Sequence, residues 1–364
     1  MKSLYSYLII IFFQIFMITP TIYPTTFIYA NNPYIQYFGR WDMSDSLHPQ
    51  HSWPGIFILA KFSGRSIGVR INDNINYYNV YIDGKLYEIF HGNIDGEADY
   101  LLADNLEDKI HSLRFSQRNI SFGKIYSFEG LLLDNGAKLF PLPSKPKLRI
   151  EFIGDSFTAA EGNEATKLEM AWEDKFVVTN IDEGFAPIIA RHYKADYNTT
   201  CRSGIGMVCD WQGNFDFAMP NFFDRTLMER NEPKWNFSKW IPNLVVICLG
   251  LNDLSGLKGK DSTVSEKNSE IFKKGYMDFL STVRKVYPGV KILCVAAYPE
   301  WIQKNVKQIV DIEKLNGHED VFYSHFDFFA GGYVANGHPT EATHRKMAAQ
   351  IIKSIDSFNL IRKN

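Results

Sequence analysis

Apolar and polar positions follow two different rules along this chain, and the change falls at a proline-rich stretch. From residue 33 to about 143 the apolar positions come in short runs, several alternating strictly with polar ones. Residues 55–62, 66–71, 78–82, 86–90, 111–115 and 128–133 read as strands, because a period of two buries one face of a sheet. Asp83-Gly84 between two of them is a favourable hairpin turn, and Asp134-Asn135-Gly136 closes the last. Short strands at regular spacing predict a β-sandwich, jelly-roll-like in type.

Pro141-Leu142-Pro143-Ser144-Lys145-Pro146 reads as a linker. Beyond it, residues 148–153, 244–249 and 292–297 are nearly continuous apolar runs, the mark of strands covered on both faces. Phe272, Tyr276, Phe279, Leu280, Val283 and Val286 recur at helical spacing before Pro288-Gly289. Thr340 caps a last helix whose apolar positions are Met347, Ile351, Ile352 and Ile355. Strands alternating with helices predict a three-layer α/β domain with a mostly parallel sheet. The expected division is 1–30, 31–143 and 144–364.

The first thirty residues change the picture at one end. Lys2 precedes the apolar run from Leu8 to Met17, and no acidic residue occurs before Asp42. This reads as a secretory signal cut after Ala30, with an uncleaved membrane anchor as the alternative. The expected mature protein is secreted or periplasmic and holds no membrane segment.

Composition narrows the class. Of the 364 residues, 45% are hydrophobic and 22% charged, an ordinary globular balance. A net charge of -2 gives no basic footprint for nucleic acid. Cys248 and Cys294 lie in apolar runs and are expected as buried thiols, whereas Cys201 and Cys209 could pair across a loop. No Cys/His spacing suits zinc, so neither metal nor other cofactor is expected.

Ligands of such an α/β domain bind beyond the carboxyl ends of its strands, and four segments fall there. Gly154-Asp155-Ser156 follows the first strand of the domain and can expose a serine hydroxyl together with its own N–H. Ser203-Gly204-Ile205-Gly206 lets backbone N–H groups approach an oxygen. Leu249-Gly250-Leu251-Asn252-Asp253 places an amide donor after a buried strand. Asn336-Gly337-His338-Pro339 brings a histidine that can take the serine proton. Each segment alone is as readily a turn, a cap or a surface loop. Together they supply nucleophile, oxyanion donors and base.

The order Ser156, Gly204, Asn252, His338 resembles that of the SGNH hydrolases, the GDSL esterase superfamily, from about Arg149 to the C-terminus. A β-sandwich, a linker and such a domain together resemble carbohydrate esterase family 2. Similar stretches include Ser66-Ile67-Gly68-Val69, Phe128-Glu129-Gly130, Gly162-Asn163-Glu164, Trp235-Asn236-Phe237-Ser238 and His338-Pro339-Thr340. The resemblance implies a serine acyl-enzyme mechanism with Ser156 and His338. Its oxyanion hole would be formed by Ser156, Gly204 and Asn252. The implied substrate is an acetylated xylan or glucomannan. A sugar platform would come from Trp211, with Tyr298 or Trp301 as alternatives.

One position departs from the superfamily. An aspartate often stands two or three residues before the histidine and orients it, and here those positions are Asn336 and Ala335. Asn336 is therefore a candidate orienter in a serine–histidine dyad, with Asp327 a distant substitute. Two other classes stay open. One is a carbohydrate-binding protein without full activity, and the other is a lipase or thioesterase of the same superfamily.

Overall fold

The structure is a computed structural model that describes residues 26–361. The alternating segments build two antiparallel sheets. One runs Thr26–Tyr29, Tyr126–Leu133, Ile67–Asn72, Ala98–Ala103, with Gln50–His51 also on Tyr126–Leu133. The other runs Leu139–Phe140, Phe57–Gly64, Lys109–Gln117, Tyr77–Ile82, Lys85–His91, with Gln36–Phe38 also on Phe57–Gly64. Ile58, Ala60 and Phe62 of one sheet meet Ile67, Val69 and Leu131 of the other in a single core. This is the expected sandwich, and Asp83 and Gly84 make the hairpin turn with positive φ of 50° and 76°.

One expectation at its start needs correction. Thr26–Tyr29 is an edge strand paired antiparallel with Leu133 back to Gly130, and Ala30 is fully buried. Residues 26–30 are therefore packed as part of the sandwich, on the near side of the expected cut after Ala30. Their apolar character serves the sheet, which a pattern continuous with the preceding run conceals. The rest of the expected signal, 1–25, lies outside the described residues.

After the prolines, Arg149–Gly154, Asp196–Cys201, Leu244–Cys248, Lys291–Ala296 and Val321–His325 form one wholly parallel sheet. Arg149–Gly154 lies between Asp196–Cys201 and Leu244–Cys248. Helices Glu266–Val286 and Glu300–Leu315 cover one face through Phe272, Phe279, Ile302 and Ile309. Helices Phe185–His192 and Glu341–Ser357 cover the other through Phe185, Ile189, Met347 and Ile351. The last starts where expected, its Thr340 side chain accepting the Thr343 N–H. Among the described residues no helix is long and apolar enough to cross a membrane.

The two domains share polar groups across a buried seam. Arg40, just after Gln36–Phe38, donates to Glu151 on the central parallel strand at 2.7 Å and to the Phe223 carbonyl at 2.6 Å. Its guanidinium lies among the rings of Trp53, Phe223, Trp235 and Phe237. Asp182, in the α/β domain, accepts from Asn79, Arg114 and Ser116 of the sandwich. Arg118 of the sandwich, wholly buried, pairs with Glu164.

Candidate functional site

The central strand and its two neighbours end side by side, since Gly154 pairs with both Cys201 and Cys248. Ser156, Gly204 and Asn252 follow those three ends within a few residues. Period and register alone thus place three of the four sequence candidates on one edge of the sheet.

Ser156 sits on successive tight turns, not on the start of a helix. The Ala159 N–H donates to the Asp155 carbonyl at 3.0 Å, and the Glu161 N–H to the Ser156 carbonyl at 3.0 Å. Gly154 is forced by packing, because a Cβ there would lie 2.0 Å from Thr158 Oγ1. Ser156 itself is largely buried. Asp155 beneath it is fully buried; Oδ1 accepts the Phe157 N–H at 3.0 Å and Oδ2 has no partner among the described residues. Burial pushes the Asp155 carboxyl up to about 7. The Phe157 amide opposes this, and the nearby Asp253 and Glu161 carboxylates reinforce it.

Gly204 takes a φ of +79°, and a Cβ on it would come within 3.1 Å of the Trp211 ring. The Trp211 N–H donates to the Gly204 carbonyl at 3.1 Å, so the exposed indole is fixed beside the glycine. Asn252 opens the short helix Leu251–Gly256 and donates to the Ile205 carbonyl at 2.8 Å. Its second amide proton meets no acceptor among the described residues.

The neighbouring Asp253 was not singled out from sequence, yet it holds this loop. Its carboxylate accepts the N–H groups of Met207 and Val208, both at 2.7 Å, and of Cys209. Burial raises it to about 6 against those amides. Gly206 must be glycine here, since a Cβ would lie 2.5 Å from Asp253 Oδ2. Cys201 and Cys209 are buried free thiols and do not form the disulfide considered from sequence, and Cys248 and Cys294 are buried and free as expected.

His338 is brought to this edge by a two-strand ribbon, Tyr333–Val334 with His338–Pro339. The turn between them passes through Ala335, Asn336 and Gly337, all with positive φ. A Cβ on Gly162 would lie 2.5 Å from that of Ala335, so the serine turn and the histidine turn touch. The ring of Phe157, next to the serine, lies 6.2 Å from the His338 ring and edge-on to it. His338 Nδ1 is 2.6 Å from the Ala335 carbonyl oxygen, to which it donates when that nitrogen carries the proton, leaving Nε2 free as an acceptor.

Asn336 does not orient the ring, contrary to expectation. Its side-chain oxygen accepts the Met170 N–H at 3.0 Å, and its own N–H donates to the Leu168 carbonyl. With φ of 67° the residue suits a left-handed turn, and its side chain pins the 168–170 loop instead. Asp327 bonds Gln350 and is no substitute.

The other two aromatic candidates separate. Trp301 points into the protein, packing on Phe272 and donating to Ser269 Oγ at 3.0 Å. Tyr298 packs with Tyr333 and the exposed Phe328, near the histidine ribbon. His344, on the last helix, is fully buried; burial and then His338 push it down to about 3, so it is neutral.

Residues 37–143 match the family described as carbohydrate esterase 2 N-terminal, and 150–351 match the family described as GDSL-like lipase/acylhydrolase. The cellulase/esterase CelE of Acetivibrio thermocellus is 30% identical over 89% of this chain. An acetylxylan esterase / glucomannan deacetylase of Cellvibrio japonicus is 32% identical over 56% of it. The chain spans only 39% of the length of the first and 56% of the second. A solved family two carbohydrate esterase from Clostridium thermocellum, in complex with cellohexaose, superposes with a TM-score of 0.80 at 28% identity. That match covers 90% of this chain and all of that one.

Proposed function

The chain belongs to the GDSL-like lipase/acylhydrolase family, in the two-domain arrangement of carbohydrate esterase family 2, and from that premise we propose that it is a secreted serine esterase removing O-acetyl groups from hemicellulose. The observation that carries this reading is the contact of the serine turn, at the end of the central parallel strand, with the histidine turn of the Tyr333–Pro339 ribbon, where His338 is anchored on the Ala335 carbonyl.

In the proposed cycle Ser156 Oγ attacks the acetyl carbonyl while His338 Nε2 takes its proton. The oxyanion is met by the N–H groups of Ser156 and Gly204 and by the free amide proton of Asn252. The intermediate collapses as His338 returns the proton to the departing sugar oxygen, leaving an acetyl-serine. Water, deprotonated by the same histidine, then releases acetate. The backbone carbonyl does for the imidazole what an aspartate does in a triad, fixing its tautomer without a charge.

Trp211 on one side, and Tyr298 with Phe328 and Tyr333 on the other, give the sugar ring apolar faces. The names of the relatives, acetylxylan esterase and glucomannan deacetylase, support acetylated xylan or glucomannan as substrate. The apolar stretch from Leu8 supports export.

The test is acetate release from acetylated xylan. Ser156→Ala is expected to lower it by about 10⁴-fold or more, and Asn252→Ala by about 10²–10³. Wild-type turnover in Ser156→Ala removes the assignment. A pure sugar binder gives no release and no mass gain at Ser156 with an organophosphonate. A lipase instead prefers long nitrophenyl acyl esters.

A further inference from the structure

The charged groups around His338 include a pair that the serine–histidine reading leaves unused. Glu161 lies on the same turn as Ser156, and its carboxylate is almost completely buried. Oε1 stands 3.7 Å from His338 Nε2, the nitrogen left free once Nδ1 is on the Ala335 carbonyl. At that distance it is a charged neighbour rather than a hydrogen-bond partner. The same oxygen accepts from Lys175 Nζ at 2.8 Å, and the lysine is also buried. Oε2 has no partner among the described residues.

A buried ion pair is a weak source of stability, because desolvation offsets most of the attraction. Its position therefore needs another account. The reaction makes an imidazolium at His338, and a carboxylate beside Nε2 favours that form over the neutral ring. Lys175, on the same carboxylate oxygen, offsets part of that charge.

We propose that Glu161 is a positioning residue for His338. It holds the ring near the serine turn and sets the pH range in which Nε2 accepts a proton, while Lys175 tempers its charge. The inference rests on the serine–histidine reading. The lysine is itself held in place: the Thr179 hydroxyl donates to the Lys175 carbonyl at 2.7 Å and accepts the Gly162 N–H at 2.8 Å. The loop that carries the cation is thus tied to the serine turn. The other titratable groups near the ring are His344, which is neutral, and Asp155, which is close to Glu161. Tyr333 lies on the paired strand, and Glu341, at the start of the helix that follows, pairs with Arg345.

The experiment follows two readouts on the full chain, the acid limb of kcat/KM for an acetyl ester and the pH transition of the His338 ring signal in NMR. Glu161→Gln is expected to move both to lower pH by about one unit, since removing the carboxylate disfavours the charged ring. Glu161→Asp keeps the charge and stays near wild type. The pair Glu161→Gln with Lys175→Met leaves no orphan charge in the fold and moves both readouts the same way by less.

A purely structural ion pair lowers stability in the single variant and moves neither readout. Ring transitions that overlay wild type in both altered proteins overturn the inference, whatever Ser156→Ala does. Ring transitions that move as expected, with no acetate released by wild type, uphold it and sink the esterase reading instead.

Discussion

Two fully buried aspartates, one at the seam between the domains and one under the serine, show how the same side chain is used for opposite ends. Asp182 accepts from Asn79 at 2.9 Å, Arg114 at 2.6 Å and Ser116 at 3.1 Å. Burial works to raise its carboxyl, but Arg114 and these donors outweigh it and hold the group below the usual carboxylate range. Asp155 has a single amide donor and one oxygen with no partner among the described residues, and burial prevails to about 7. Where a charge joins two domains it is satisfied on nearly every lone pair. Where it borders Ser156 it is left short. Buried groups short of partners are a mark of candidate sites, and here Asp155 and Glu161, each with one oxygen unpartnered among the described residues, lie on the turn of Ser156.

The comparison can be broken most forcibly at the seam. Asp182→Asn leaves Arg114 facing an uncharged, part-donor side chain. It is expected to cost about 3 kcal/mol in urea unfolding at pH 7, with esterase activity per folded molecule unchanged. An equal loss of activity per folded molecule would mean that the seam also shapes the site. A carboxyl lowered on folding stabilises above its ordinary range, and that contribution is lost as pH falls through its folded value. The cost of Asp182→Asn should therefore shrink towards acid.

Asp155 carries the opposite sign. Its folded value is raised, so its contribution is full below the ordinary carboxylate range near 4 and declines as pH rises to about 7. Asp155→Asn is expected to flatten the fall of melting temperature between those limits, part of the slope remaining because Asp253 titrates at about 6. An unchanged slope would mean that Asp155 is ionised throughout.

The smallest effect belongs to the rim, where nothing is buried. Trp211→Ala, tested in the inactive Ser156→Ala background, is expected to weaken oligosaccharide binding by about 1 kcal/mol, roughly fivefold. Stability should not change. Unaltered affinity in calorimetry removes Trp211 from the sugar site.

Much of this was legible in the chain because its signals are local. Period-two alternation marked the sandwich, continuous apolar runs marked three of the five parallel strands, and strand ends led to Ser156 and Asn252, with Gly204 read from its glycine loop and His338 from the loop before the last helix. Asp196–Cys201, polar in sequence as Asp-Tyr-Asn-Thr-Thr-Cys, gave no such signal, although it is entirely buried. Glu161 and Lys175 gave none either, since two opposite charges on a loop are ordinary until the fold closes around them. Asp253 was visible only as the neighbour of Asn252. Ala335 orients the histidine with a backbone oxygen that every residue has, so no side-chain motif could announce it. Asn336 was misjudged because identity suggests a side-chain role, whereas its left-handed backbone was what the turn required.

Arg40 has one more consequence. It reaches Glu151 across 111 positions of sequence, through the linker and into the middle of the second domain's sheet. Cutting the chain at the prolines would not release an enzyme and an appended module. It would strand a carboxylate inside one fragment and the guanidinium that neutralises it on the other, so the halves are exchangeable between relatives only together with the pair.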